Sequence, residues 1–173
     1  KKMLRQGRKP KDRSQQMIFN NYRAMQLLKD YKNEQLTPAI ILELHHIITK
    51  GKLLNSKTAG QFRTSADKIH LFNAQLSQVL YTPPNAEELP ERLQRFCQFA
   101  NDEHLPMFIP PIVKAIVLHF ILAYDHPFVD GNGRMARAIF YWYLIKQDSW
   151  LMEFISISRI IKPALVQYWR AFL

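Results

Sequence analysis

The twelve residues from His126 to Arg137 read His-Pro-Phe-Val-Asp-Gly-Asn-Gly-Arg-Met-Ala-Arg, and no other stretch constrains the chain as tightly. The whole sequence holds only five glycines, and two of them flank Asn132 here. Gly-Asn-Gly is a poor helix interior but suits a loop whose backbone N–H groups converge. Arg134 through Leu144 follows without Gly or Pro and is rich in helix formers, so the stretch predicts a glycine-rich loop opening onto a helix N-terminus. Such a terminus presents unsatisfied N–H groups and a favourable dipole to an anion. Ile112 to Asp125, on the other side, is apolar nearly all round and predicts a central buried helix.

The rest of the chain supplies a frame for that loop. Its 173 residues fit one domain, and with 47 % apolar residues and little Gly a mainly helical class is expected. Ser14 is placed to cap a first helix, with Met17, Ile18, Tyr22, Met25, Leu27 and Leu28 at helical spacing. Thr37-Pro38 reads as cap and first residue of a second helix that Lys50-Gly51 stops. Its adjacent His45 and His46 point different ways, one inward and one outward, which argues against a metal pair. Gly60-Gln61-Phe62-Arg63 reads as a turn carrying an aromatic inward. Ile69 and Leu71, then Val79, Leu80 and Tyr81, suit two short arms of a hairpin. Pro84-Asn85-Ala86-Glu87-Glu88 opens a helix with the apolar face Leu89, Leu93, Phe96, Cys97 and Phe99. His119 reads as a core histidine. The aromatics from Phe140 to Tyr143 read as core, Ile155 to Ile161 as a short element, and Pro163 as the start of a last amphipathic helix.

Charge and cysteine usage narrow the function classes. The net charge of +10 invites a nucleic-acid reading, but residues 1–13 hold seven basic residues against Asp12 alone. The excess is therefore a property of a basic tail or linker, with residues 14–173 forming the domain. A basic nucleic-acid-binding module without transferase activity is the rival from another class. A single cysteine, Cys97, excludes an internal disulfide framework and suits a reducing, cytoplasmic setting. No apolar run reaches the length of a membrane span. The chain begins without Met and is expected to be a fragment of a longer protein.

Taken singly, each motif residue has a structural reading: Asp130 as helix cap, His126 closing the preceding helix, the arginines pairing with acids. Their concentration points instead to a site. Gly131, Asn132 and Gly133 suit close backbone approach to a tetrahedral anion. Arg134 and Arg137, three apart on one helical face, suit a polyphosphate because each guanidinium can make a bidentate contact. A carboxylate at the mouth of such a loop needs a cation between itself and the phosphates, and Asp130 with Mg²⁺ answers that need. His126 is the one side chain there able to take a proton near neutral pH. Together these describe transfer of a phosphorus group from a nucleotide to a hydroxyl.

The stretch resembles the signature of Fic-domain proteins, His-Pro-Phe-x-Asp/Glu-Gly-Asn-Gly-Arg-x-x-Arg, at every fixed position. Gly60-x-Phe-Arg63, Tyr81-Thr82-Pro83-Pro84 before an acidic helix start, and Pro110-Pro111-x-x-Lys-Ala resemble the family's layout as well. The resemblance implies an all-α helical bundle around a central helical hairpin, with a small β-hairpin flap beside the active-site loop. It implies transfer of AMP from ATP to a Tyr, Thr or Ser hydroxyl of a target protein or of the chain itself. His126 is then the base, Asp130 the Mg²⁺ ligand, and Gly131, Asn132, Gly133, Arg134 and Arg137 the phosphate-binding set. Phe128 is the loop's buried anchor, and Gln78, Val79, Leu80, Tyr81 and Thr82 form the flap that docks the target. The same fold with another nucleotide or phosphate donor, or removing AMP, is the alternative. The resemblance further implies restraint by a Ser/Thr-x-x-x-Glu-Gly/Asn helix acting on Arg137. Only Ser149 and Glu153 have that spacing here, with Phe154 where Gly or Asn belongs, so such a helix is expected outside this chain or on a partner.

Overall fold

The computed structural model describes residues 8–51, 58–73, 78–102, 107–149 and 156–171; the basic lead up to Gly7 and Glu153 lie outside them. The described residues are mostly helical. α1 spans Arg13–Asp30, and its cap is Asp12, whose carboxylate accepts the Gln15 N–H at 2.8 Å. The expected cap, Ser14, instead lies inside the first turn, because the stronger acceptor three residues before Gln15 takes the orphan N–H. α2 spans Pro38–Thr49, capped as expected by Thr37, whose hydroxyl accepts from the Ile40 N–H at 3.3 Å. It buries Ile41, Leu44, His45, Ile48 and Thr49, one stripe at helical spacing. His45 is buried and His46 exposed.

Two short strands, β1 (Leu71–Asn73) and β2 (Gln78–Tyr81), pair antiparallel with an irregularity between Leu71 and Phe72. A single 3₁₀ turn, Ala86–Glu88, then leads into α3 (Leu89–Asn101), which begins later than the acidic Glu87-Glu88 pair suggests because Pro90 occupies its first turn. α4 (Pro111–Asp125) and α5 (Asn132–Lys146) flank the His126–Gly131 loop and pack along each other. A short α6 (Ile157–Ile161), a 3₁₀ turn (Lys162–Ala164) and α7 (Leu165–Arg170) follow.

The expected centre is displaced by one helix. α4 leaves Val113 and Ile116 about half exposed. α5 instead buries Met135, Ala136, Ala138, Ile139, Phe140, Trp142, Tyr143 and Leu144, and α1, α2 and α4 all pack on it. Full burial of the larger aliphatic and phenyl side chains among these contributes about 1.5–3 kcal/mol each. Polar side chains close the helix ends within the core. Asn20 of α1 donates to the carbonyls of Ile48 (3.2 Å) and Lys50 (2.8 Å) at the end of α2. Asn101 exchanges two hydrogen bonds with the Leu36 backbone, and Lys114 donates to the Asp102 carbonyl at 2.6 Å beyond α3. Hydrogen bonds fasten the described part of the C-terminal segment to the helical pair. The Ile157 N–H donates to the Tyr141 hydroxyl (3.1 Å), and His119 Nε2 meets the Tyr168 hydroxyl (3.1 Å). No helix among the described residues is long and apolar enough to cross a membrane.

Candidate active site

α4 runs out at Asp125, and His126 adopts a left-handed conformation (φ 48°, ψ 55°) that turns the chain sharply out of the helix. Its N–H still donates to the Leu122 carbonyl at 3.1 Å. Its Nδ1 lies 3.2 Å from the Ala123 carbonyl. A carbonyl only accepts, so Nδ1 carries the proton and Nε2 keeps its lone pair. Burial holds the His126 pKa below its ordinary value, and the Arg63 guanidinium adds to that, while the Ala123 contact and Asp130 oppose it. The residue is thereby kept neutral with one basic nitrogen.

The loop after it is closed by the protein's own contacts. Phe128 is fully buried and stacks face to face on His45, ring centroids 3.7 Å apart, with Phe62 on the same ring at 5.3 Å. Asn132 turns its side chain inward, accepting the Phe128 N–H (2.9 Å) and donating to the Phe128 carbonyl (2.7 Å). The Asn132 side chain is thus spent on shaping the loop, and what remains for an anion is its backbone N–H at the first turn of α5. Gly131 has φ +91°, and a Cβ there would sit 2.9 Å from Thr49 Cγ2, so its glycine is required by α2. His45 bridges the parts: the Gly60 N–H donates to its Nδ1 (2.9 Å), which leaves Nε2–H to donate to the Asp130 carbonyl (2.8 Å).

The helical half of the motif is open. A Cβ on Gly133 would meet nothing closer than Arg137 Nη1 at 3.5 Å, an ordinary contact, so no packing within the protein calls for glycine there. Asp130 is exposed, its Oδ1 accepting the Gly131 N–H (2.5 Å) and its Oδ2 paired with Arg134 Nη2 (3.1 Å). Arg134 also donates to the Ile48 carbonyl at 3.2 Å. Arg137 is half-buried, with its pKa lowered chiefly by burial, and has no carboxylate partner among the described residues. Both arginines line an open cleft, with Asn21, Ala24 and Met25 of α1 on one side and Tyr141 and Ser158 on the other. The described residues contain no cluster of three metal-ligating side chains, so any cation here would rest on Asp130 together with oxygens of a ligand.

Two residues at this site have roles that the sequence does not show. Arg63 is legible there as part of a turn and of the Gly60-x-Phe-Arg63 layout, and His45 as one of an adjacent pair of which one points inward. Both act on backbone carbonyls of the motif loop. Gly60-Gln61-Phe62-Arg63, a basic residue directly after an inward aromatic, is the one trace of it in the sequence. The arms of the hairpin lie nearby, and the Tyr81 hydroxyl donates to the Tyr124 carbonyl at 3.1 Å; the side chains of Gln78, Val79 and Leu80 lie outside the description.

The family model for Fic/DOC proteins matches residues 35–144, from just before α2 to the last turn of α5. The chain belongs to the Fic/DOC family. Among its relatives, a protein adenylyltransferase Fic from Drosophila erecta is 30 % identical over 126 residues, covering 69 % of this chain and 23 % of the relative. A protein adenylyltransferase fic-1 from Caenorhabditis elegans is 36 % identical over 108 residues, covering 62 % of this chain and 19 % of the relative. The chain thus spans about a fifth to a quarter of the length of the curated relatives it matches. A Fic-domain-containing signaling protein from Bacteroides thetaiotaomicron shares the fold, with a TM-score of 0.71, 22 % identity, and coverage of 84 % of this chain and 55 % of that one. Fic-1 from Caenorhabditis elegans superposes with a TM-score of 0.65 at 24 % identity, covering 84 % and 42 %.

Proposed function

We propose that this Fic-family chain is the catalytic core of a protein adenylyltransferase, moving AMP from ATP to a Tyr, Thr or Ser hydroxyl of a target protein or of itself. The observation that carries the reading is His126: Nδ1–H is committed to the Ala123 carbonyl, so the lone pair of Nε2 is available beside an open helix N-terminus. Nε2 takes the proton of the attacking hydroxyl as its oxygen bonds to the α-phosphorus. The bond from that phosphorus to the oxygen bridging to the β-phosphate breaks, and pyrophosphate leaves. The N–H groups of Asn132 and Gly133 hold phosphate oxygens, and the missing side chain at Gly133 leaves room for them. Arg134 and Arg137 grip the outer phosphates from the cleft wall. Asp130, together with phosphate oxygens of the nucleotide, would hold a Mg²⁺, and the ion would supply positive charge against that developing on the pyrophosphate; one Asp130 oxygen is already paired with Arg134.

The hairpin fits target docking. In the described two-stranded sheet β2 pairs only with β1, and Tyr81 ties the end of β2 to α4 two residues before the base. Gln78 to Thr82 would take a target segment by strand addition, bringing its hydroxyl toward Nε2. Arg137, lacking a carboxylate partner among the described residues, is where a Glu-bearing inhibitory helix from outside this chain would act.

The test is incubation with Mg²⁺ and ATP labelled at either the α or the γ phosphate, comparing the chain with His126→Ala. The proposal expects α-label transfer that falls about 100- to 10,000-fold in the variant. Equal transfer by the two proteins contradicts the role of His126, and transfer of γ-label contradicts the choice of AMP.

A further inference from the structure

Arg63 is a charged side chain left only 7 % exposed. It has no ion pair among the described residues that explains this burial, since the buried carboxylate nearby, Asp125, is taken by Arg92 at 3.1 Å. Its guanidinium is spent on backbone oxygens. Nε donates to the His126 carbonyl at 2.8 Å, while Nη2 donates to the carbonyls of Pro84 at 2.5 Å and Asp125 at 3.2 Å. The Arg63 N–H adds a bond to the Pro127 carbonyl at 2.9 Å. One residue therefore takes up the carbonyls of Asp125, His126 and Pro127, three consecutive peptides at the point where α4 ends.

That point is where the backbone is least at ease. His126 has no glycine's freedom, yet it sits at φ 48°, a conformation that costs of order a factor of ten in population for a residue with a Cβ. The last carbonyls of a helix lack intrahelical donors, and a planar guanidinium reaches several of them in fixed directions. Holding the His126 carbonyl fixes the orientation of its peptide, and with it the left-handed turn. That turn places the imidazole where Nδ1 meets Ala123 and Nε2 faces away from its own helix. Lysine offers a single point charge and cannot reproduce the fork.

We infer that Arg63 is a positioning residue for the reaction: by gripping the Asp125, His126 and Pro127 carbonyls it fixes the backbone turn that sets the His126 ring in its base-competent tautomer. The same guanidinium joins the base to Pro84, just beyond the end of β2, so the docking hairpin and the base share one fixed point. The inference rests on His126 acting as the base.

The test uses Arg63→Lys and Arg63→Gln in the full chain, with the ¹⁵N spectrum of labelled histidine read alongside kinetics. In the unmutated protein His126 should appear as the Nδ1–H tautomer. In the variants the signal should move toward a mixture of tautomers, and kcat should fall about 100-fold, the cost of a reacting group misplaced by about an ångström. KM for ATP and the Mg²⁺ requirement should stay within about twofold, because the phosphate-binding half of the motif does not touch Arg63. An unchanged His126 tautomer, or a loss carried by KM rather than kcat, overturns the assignment. Should neither variant fold, the scalar coupling across the hydrogen bond from Arg63 Nε to the His126 carbonyl carbon is measured in the unmutated protein. Its presence upholds the grip and its absence overturns it. The ring spectrum does not depend on turnover, so it separates failure of this inference from failure of the transferase reading, which His126→Ala tests.

Discussion

The two halves of the His126–Arg137 motif are built on opposite terms. From His126 to Asn132, apart from the exposed Val129 and Asp130, the groups are committed inside the protein: the ring of Phe128 on His45, the amide of Asn132 on the Phe128 backbone, the missing side chain of Gly131 on Thr49. From Gly133 onward the economy stops. Gly133 has no neighbour that demands glycine, and Arg137 is half-buried without a carboxylate partner among the described residues. Residues whose identity is explained by internal packing set geometry; residues whose identity is left unexplained by it are the ones to assign to a ligand. On the proposed reading, the locked half would aim the base and the open half would receive the phosphates.

The sharpest way to break this division is through Phe128. Phe128→Ala empties a fully buried site between His45 and Phe62 and should cost about 3–5 kcal/mol in chemical denaturation. A loss below about 1 kcal/mol would mean that the loop is not held by its anchor.

Acid tests the buried imidazoles next: His126 and His45 in and against the locked half, and His119 on α4 beside Tyr168. Burial lowers the pKa of His45, of His126 and of His119, the last to about 4. With the folded pKa depressed, the stability is fully present above the ordinary value of 6.5 and is lost as pH falls, because the unfolded chain takes up protons that the folded one refuses. His119 alone should account for about 3 kcal/mol lost between pH 6.5 and pH 4. Urea midpoints across that range measure it, and a flat profile would show that these imidazoles are not held neutral. The same sign applies to catalysis: a depressed His126 pKa keeps the base unprotonated to lower pH, so the acid limb of the rate should lie below 6.5.

The open half gives a smaller and different response. Arg137→Gln should raise KM for ATP about tenfold through loss of a charged phosphate contact. Its urea midpoint should shift by no more than about 0.5 kcal/mol equivalent, the range of substitutions that break no internal partnership. A large stability loss would place Arg137 in the locked half.

The sequence made the site legible at the level of residue types and obscured how they are supported. The Thr37-Pro38 start of α2 could be read because cap and first-turn chemistry are local. The start of α1 was misread because Asp12 and Ser14 compete for the same orphan N–H groups and the carboxylate wins. α4 looked central because its run is more continuously apolar, whereas the Gly-Asn-Gly-Arg-x-x-Arg opening of α5 dilutes the pattern of the helix that is the more buried. The roles of Arg63 and His45 are not legible for a related reason. They act by hydrogen bonds to backbone carbonyls some sixty to eighty-five residues away in sequence, and such bonds leave no periodic trace.

The division between the halves is tested most directly by its two glycines, with thermal unfolding and MgATP titration calorimetry on Gly131→Ala and Gly133→Ala. At Gly131 the new Cβ meets Thr49 at 2.9 Å and the torsion of +91° is wrong for alanine, so stability should fall by at least about 1–3 kcal/mol. At Gly133, an unobstructed helical position, alanine should leave stability unchanged or raise it by up to about 1 kcal/mol. MgATP affinity of that variant should nevertheless fall by about tenfold or more as the methyl intrudes on the phosphates. A Gly133→Ala protein that binds MgATP as tightly as the unmutated chain, or that unfolds as early as Gly131→Ala, would contradict the account.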